Sequence, residues 1–148
     1  LLSFSAQKSL VGGILIEATL PIETVSEANS SEHWTAKSKR HKLQQLLIRV
    51  WFSKLREVPA LPVVVTLVRL SSRELDGDNL QISMKYLRDE LSELLIPHKA
   101  KTALAASGKR YKLKGRQDMD KRIKWLYGQE KSKFKGVRIR IESDPDIN

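Results

Sequence analysis

Several features are missing from this sequence, and each absence narrows what the chain can do. No cysteine occurs among its 148 residues, which excludes disulfides and thiolate chemistry and favours a reducing, cytoplasmic environment. No apolar run approaches the roughly 20 residues that a membrane span needs. Residues 9–20 are apolar, but Glu17 interrupts them and no cleavage site follows, so they predict a strand and not a signal peptide. We expect one globular domain over residues 1–148, with no membrane association.

Acidic residues are scarce where basic residues are most abundant. The chain carries a formal net charge of +10. Residues 98–140 contain 15 Lys and Arg but only 3 Asp and Glu, whereas the remainder of the chain is slightly acidic. Concentrated positive charge attracts polyanions by releasing their counterions, and nucleic acid is the commonest such partner. A basic surface that only keeps the protein in solution is the alternative.

The spacing of apolar residues predicts a small α/β (α+β) domain with a mixed sheet and two main helices. The predicted elements are a strand at 12–20, a helix at 37–58, a strand at 63–70, a helix at 78–95 and strands at 122–129 and 137–142. The strand at 63–70 is almost wholly apolar, which is typical of a strand buried on both faces. Residues 98–117 form a basic insert, a loop or a short hairpin, and residues 143–148 form an acidic tail.

The first helix and the last strand are each predicted to bury one face. In the helix, the apolar residues at helical spacing are Leu43, Leu46, Leu47, Val50, Trp51, Leu55 and Val58. In the strand, apolar and basic residues alternate from Val137 to Ile141, so one face is expected to be buried and the other basic.

Two carboxylates follow the apolar strand. Asp76 and Asp78 flank Gly77, which allows the backbone to approach closely, and they stand where the strand passes into a helix. Ligands bind at this carboxyl end of the strands in open α/β sheets. Carboxylates so close repel each other unless a cation or a proton lies between them, and oxygen ligands alone favour Mg²⁺ or Mn²⁺. The structural alternative is that Asp78 caps the helix, with Gln81 completing a capping box, and that the Asp-Gly pair is a turn.

A third acid is expected at a metal site, and a second acidic pair supplies candidates. Asp118 and Asp120 lie just before the strand at 122–129. If that strand neighbours the one at 63–70, it would bring this pair beside Asp76. The alternative is that both acids are polar loop residues.

The segment from Asp76 to Leu80, D-G-D-N-L after an apolar strand, resembles the D-x-D-N-L motif of RusA-type Holliday junction resolvases. The resemblance covers about residues 12–142, although only this motif and the later Asp are specific. Members of that family are small dimeric endonucleases that cut four-way DNA junctions with Mg²⁺. The resemblance therefore implies a RusA-like fold and an intracellular role in DNA recombination and repair, in a bacterium or a phage.

Carried over residue by residue, the resemblance implies that Asp76, Asp78 and Asp120 are catalytic and hold the metal. Asp118 is the alternate third ligand, because the family's third site is itself an acidic pair. The insert at 98–117 is longer than in the well-known member, which leaves strict junction specificity open.

A lysine is also implied near the scissile phosphate. The family's functional lysine, four residues after the second Asp, is replaced here by Ile82. Lys85 lies seven residues after Asp78, on the same face of a continuous helix, and is the candidate to act in its place. A solvated Lys85 paired with Asp89 is the alternative.

DNA phosphates are expected to bind the basic insert. The residues assigned to this role are Lys99, Lys101, Lys109, Arg110, Lys112, Lys114 and Arg116. Such contacts supply affinity and salt dependence but little sequence readout. Trp34 and Tyr111 are each expected to be packing residues, with stacking on an exposed base at a junction centre as the alternative. The histidines, at positions 33, 41 and 98, are expected to be surface or structural residues and not catalytic ones.

Three functions compete for this sequence. The first is Mg²⁺-dependent cleavage of branched DNA by a homodimer, because two symmetric cuts need two sites related by symmetry. The second is nucleic-acid binding without catalysis, for which the basic C-terminal third would suffice. The third is a metal nuclease of broader range that acts on flaps or replication forks.

Overall fold

The computed structural model describes residues 8–10, 13–96, 102–112 and 120–144. The strands are β1 (Lys8–Leu10), β2 (Gly13–Leu20), β3 (Val63–Ser71), β4 (Thr102–Leu104), β5 (Arg110–Lys112), β6 (Ile123–Lys131) and β7 (Gly136–Ser143). The helices are α1 (Trp34–Ser53), α2 (Gly77–Ser83) and α3 (Lys85–Leu95), and a 3₁₀ turn covers Glu27–Asn29. This confirms the predicted α+β fold with a mixed sheet.

The main sheet has five strands in the order β1-β2-β7-β3-β6. All neighbours are antiparallel except β3 and β6, which run parallel with Val63 opposite Ile123 and Ser71 opposite Lys131. Two helices lie between β3 and β6 in the chain, as a parallel pair requires a crossover connection. β4 and β5 form a separate hairpin, so the described part of the basic insert is the short hairpin that the sequence allowed.

The core lies between one face of this sheet and the helices. Strand residues such as Val65 and Ile139 are fully buried against α1 and α3, whose Ile48 and Leu87 are fully buried as well. On the core face β3 is fully buried, whereas on its other face Thr66 and Val68 are only half-buried, so the predicted burial of both faces holds in part. As predicted, β7 alternates buried apolar residues with half-buried arginines. No helix in the described ranges is long and apolar enough to cross a membrane.

The predicted buried face of α1 is right in part: Trp51 is buried and Leu47, Leu55 and Val58 pack against the core, whereas the other three residues of the stripe are exposed. The helix begins three residues before the predicted start, because the His33 ring accepts a hydrogen bond from the Thr35 N–H, and it ends at Ser53. Its buried residues are Gln44, Ile48 and Trp51, while Leu43, Leu46 and Val50 are 55%, 48% and 38% exposed. Burial of a polar residue is tolerated here because the Gln44 amide donates to the Glu23 carbonyl at 2.6 Å.

The second predicted helix is two helices with a break at Met84. The Met84 N–H bonds to the Gln81 carbonyl as well as to that of Ile82, which tightens the last turn of α2. The Ser83 hydroxyl donates to the Leu80 carbonyl at 2.6 Å, so a side chain competes for a backbone acceptor at the same point. Met84 itself is fully buried and anchors the break in the core.

A network of charged residues ties the segment before α1 to the helix. Arg40 donates to the Glu27 carboxylate at 2.6 Å and to Glu32 at 2.7 Å, and His41 lies 3.1 Å from Glu27. Burial alone would raise the pKa of Glu27, but the hydrogen bonds from Arg40 and His41 outweigh it and lower that pKa. The stabilisation is therefore present above the ordinary glutamate pKa and is lost as the pH falls through the lowered value.

Replacing Arg40 with Met should lower the free energy of unfolding by about 3 kcal/mol, because Glu27 would stay buried without its main partner. Urea denaturation at pH 7 measures this loss. Lys37→Met is the matched control, since Lys37 lies 3.8 Å from the same carboxylate but is more exposed, and it should cost less than about 1 kcal/mol. Equal losses from the two variants would contradict the buried pairing.

Candidate functional site

The parallel pairing of β3 with β6 separates the predicted metal ligands. Both strands end at the carboxyl edge of the sheet, and Asp76 follows β3 there. Asp120 precedes β6 and so lies at the opposite, amino edge, beside the start of β3. Nine paired residues at about 3.3 Å each place the two edges roughly 26 Å apart. The expectation that neighbouring strands bring Asp120 beside Asp76 is wrong within one chain, because the strands are parallel.

Asp120 has a local structural role at the amino edge. Its carboxylate accepts hydrogen bonds from the backbone N–H of Arg122 at 3.0 Å and from the Arg122 guanidinium at 3.1 and 2.9 Å. The Asp120 carbonyl also accepts from the Ile123 N–H, which starts β6. The Asp120 carboxylate raises the pKa of Arg122 by hydrogen bonding. Asp118, the alternate third ligand, lies outside the described residues.

Asp76 and Asp78 are exposed at the carboxyl edge, and the predicted capping box is wrong. The N-cap of α2 is Asp76, not Asp78, and its side chain makes no capping hydrogen bond. Within the described ranges, neither carboxylate has a hydrogen bond or an ion pair. A Cβ at Gly77 would meet nothing within 4 Å, so this glycine stands in open space and not in the close backbone contact that the sequence suggested. Both carboxylates are therefore available to a ligand.

Two polar side chains hold the loop that carries these acids. Arg69 and Gln129 are opposite each other on β3 and β6. The Gln129 amide accepts from the Leu75 N–H at 2.9 Å and donates to the Leu75 carbonyl at 2.7 Å. The Arg69 guanidinium donates to the Arg73 carbonyl at 2.5 Å. The backbone is thus fixed at the residue directly before Asp76.

Lys85 is not on a continuous helical face with Asp78. The break at Met84 puts Lys85 at the first position of α3, where its ammonium group lies 5.8 Å from the centre of the Tyr86 ring. Ile82, which replaces the family's lysine, is 44% exposed on α2. Asp76 and Asp78 therefore lie at the start of α2, and no straight helix places Lys85 beside them as the sequence suggested.

A divalent cation at this edge has two carboxylates available from one chain. No group of three His, Cys, Asp or Glu residues that could hold a metal occurs among the described residues. Mg²⁺ usually keeps several waters and binds through one or two carboxylates plus substrate phosphates. The exposed pair Asp76 and Asp78 fits that donor set.

The predicted DNA-binding residues lie largely beyond what the structure describes. Lys99, Lys101, Lys114 and Arg116 lie outside the described residues, and only the backbone of Lys112 is described. Lys109 and Arg110 are exposed at the hairpin of β4 and β5, where Gly108 adopts a positive φ of 83°.

The aromatic residues and histidines divide into packed and exposed groups. Trp34 is 73% exposed at the start of α1, so packing does not account for it. Trp51 is buried, and Trp125 lies under the guanidinium of Arg88 at 5.2 Å. His33 caps α1 and His41 stacks on Tyr86 with ring centres 3.6 Å apart, so both described histidines have structural contacts. His98 and the side chain of Tyr111 lie outside the described part.

A cleft of about 430 Å³ opens at the carboxyl edge, next to the acidic loop. The residues that line it come from the segment after β2, from the end of β3 and the loop after it, and from the turn before β7. They include Thr24, Arg69, Ser71, Arg73, Leu75 and Lys135. Gly136 begins β7 here, and a Cβ would lie 2.5 Å from the Leu20 carbonyl, so only glycine fits this approach.

Sequence reasoning missed Arg69 and Gln129. One signal for Arg69 was available, since it shares the odd positions of β3 with the buried Val63, Val65 and Leu67. A charged residue at such a position needs a specific partner. No local pattern indicates the role of Gln129, because that role depends on its contact with Leu75, which is distant in the chain.

Comparison of the chain with protein-family models, curated proteins and solved structures finds no match.

Replacing Gln129 with Ala should release the loop before Asp76. Both Leu75 backbone groups would lose their partner, which should lower the free energy of unfolding by about 1–3 kcal/mol and speed hydrogen exchange at the Leu75 amide. Hydrogen exchange read out by NMR measures the local effect. Gln81→Ala is the control, because Gln81 is exposed on α2 and leaves the clamp intact. Unchanged exchange at Leu75 in the Gln129 variant would show that the amide does not hold the loop.

Proposed function

We propose that this chain is a Mg²⁺-dependent endodeoxyribonuclease that cuts Holliday junctions or related branched DNA, as its resemblance to RusA-type resolvases implies. The observation that carries the proposal is the pair of exposed carboxylates, Asp76 and Asp78, which have no protein partner in the described ranges. They stand at the edge of the sheet where ligands bind. Two carboxylates this close in the chain repel each other, and a bound cation would relieve that repulsion.

The chain's own residues supply the frame for phosphodiester hydrolysis. Asp76 and Asp78 would hold the metal, while Gln129 and Arg69 keep the loop before them in place. When bound there, Mg²⁺ or Mn²⁺ would supply a more acidic water and positive charge against the developing negative charge on the phosphate. An exposed lysine near the acids, with Lys85 as the nearest candidate from the sequence, would neutralise charge on the phosphate.

Asp120 is no longer proposed as a metal ligand of the same chain. Its distance across the sheet and its bonds to Arg122 separate it from the acidic pair. Asp76 and Asp78, together with water and a DNA phosphate, would suffice to hold Mg²⁺ without it.

Branched DNA would be gathered by the basic insert, and the protein would act as a homodimer in the cytoplasm. Lys109 and Arg110 are exposed at the described hairpin of the insert. Leu43, Leu46 and Val50 form an exposed apolar stripe on α1, defined here as the α1 stripe. Exposed apolar patches mark interaction sites, and a two-fold copy of this helix would cover the stripe.

A non-catalytic nucleic-acid-binding protein is the second candidate, and one observation favours it. No three acids converge in the described part of the chain, so the metal site rests on two side chains. A metal nuclease of broader range, acting on flaps or forks, uses the same acids and differs only in substrate.

Asp76→Asn and Asp78→Asn should each abolish Mg²⁺-dependent cutting of a labelled synthetic four-way junction and leave its binding intact in EDTA. The reason is that each change removes a metal ligand without altering the cationic surface. Gel analysis of the cut strands beside a linear duplex and a flap measures both activity and substrate range. Glu74→Gln is the control, since it removes an exposed acid from the same loop.

Binding without cutting by the wild type, under Mg²⁺ and Mn²⁺ alike, would rule out the nuclease. Asp120→Asn separates two forms of the proposal. If one chain forms the metal site alone, the Asp120→Asn variant should still cut DNA. If the variant folds but no longer cuts, a second chain must bring Asp120 to Asp76 and Asp78.

Leu43→Glu with Leu46→Glu should convert a dimer into a monomer, because two charges would be buried in the interface that the α1 stripe forms. Light scattering coupled to size exclusion measures the mass. Lys42→Glu, an exposed change on the same helix, should leave the dimer intact. A monomeric wild type would contradict the dimer.

A further inference from the structure

Arg69 carries a buried charge that no acid neutralises in the described part of the chain. Its side chain lies at the end of β3, is 6% exposed and forms no ion pair there. Burial lowers the pKa of Arg69, and no carboxylate acts against that effect. A buried cation of this kind is costly to keep unless an anion or several hydrogen bonds compensate for it.

The hydrogen bonds of Arg69 are incomplete. Its guanidinium donates to the Thr24 hydroxyl at 2.9 Å, to the Thr24 carbonyl at 3.3 Å and to the Arg73 carbonyl. These bonds use three of its five N–H groups, so two donors remain. They also fix the guanidinium in one orientation, which is the condition for geometric recognition of a planar or tetrahedral oxyanion.

The cleft at the carboxyl edge places further donors around Arg69. Arg73 and Lys135 are exposed at its rim, and Ser26, Ser71 and Ser72 line it with hydroxyl groups. Glu23 is the one acid among the lining residues. Three cations against one carboxylate make this a positive cavity. Leu75 also lines it, directly before Asp76.

We propose that this cleft binds a phosphate group of a nucleic-acid strand, with Arg69 at its floor and Arg73 and Lys135 at its rim. The identity of the ligand rests on the proposed function, because a strand whose phosphate sits here passes directly beside Asp76. This site is distinct from the basic insert, and it fixes the strand at the edge of the sheet that carries the acids.

The test measures DNA affinity in EDTA, so that cutting plays no part. Fluorescence anisotropy of a labelled duplex and a labelled four-way junction is recorded over a range of salt concentrations. The Arg73→Ala/Lys135→Ala variant should weaken binding at least tenfold and make the slope of log K against log salt shallower by about 2. Both side chains are exposed, so folding should be unaffected.

Two further variants accompany it: a control that removes two cations elsewhere on the surface, and a variant that removes the acid of the cleft. Lys39→Ala/Arg56→Ala removes two exposed cations that do not line the cleft and lie away from β6, and should change affinity less than about twofold. Glu23→Gln removes the acid of the cleft and should strengthen binding. A thermal-shift titration with a nucleoside monophosphate tests a small phosphate ligand in the wild type.

Equal losses in the two double variants would overturn the proposal, as would a wild type that binds no DNA. Saturable stabilisation by the nucleoside monophosphate, with DNA affinity unchanged in the cleft variant, would overturn it in favour of a small phosphate ligand. Cleft-dependent DNA binding by a protein that never cuts would keep this inference and remove the proposed nuclease. The phosphate-binding cleft and the proposed nuclease can therefore be disproved independently.

Discussion

The parallel pairing of β3 with β6 is the constraint on which the arrangement of this molecule depends. Because the two strands are parallel, the chain must cross back over the sheet between them, and α2 and α3 form part of this crossover above the core. β6 therefore begins at the amino edge, beside the start of β3. It also aligns Arg69 with Gln129, so that two polar side chains on adjacent strands contact the loop before Asp76. This register thus positions both the turn that carries Asp76 and Asp78 and the polar side chains that hold it.

Polar side chains in apolar surroundings recur wherever this fold joins a loop to the core. Gln44 on α1 bonds to the Glu23 carbonyl, Arg69 bonds to Thr24, and Gln129 bonds to Leu75. Each supplies a backbone group with a partner that the neighbouring strand or helix does not provide. The first two act on the same short segment after β2, so this wall of the cleft is held from a helix and from a strand at once.

Much of the fold could be predicted from the sequence, because strands and buried faces leave local patterns. The apolar run of β3 and the alternation in β7 are examples. The exposed face of α1 could not be predicted in this way, since Leu43, Leu46 and Val50 share the helical spacing of the buried Trp51 and are nevertheless exposed. The candidate acids were found by their spacing. Whether Asp120 joins them depended on strand direction, which no local pattern encodes.

The separation of the two sheet edges has a consequence for how a long ligand would lie. The basic insert rejoins the sheet at Asp120, on the amino edge, whereas the acidic turn is at the carboxyl edge. The span of roughly 26 Å between them is shorter than one helical turn of duplex DNA, about 34 Å. A duplex lying along β6 would therefore meet the insert and the turn that carries Asp76 and Asp78 within a single helical turn. In that geometry the length of the insert determines which phosphates it reaches, while the strand register determines which phosphate meets the acids.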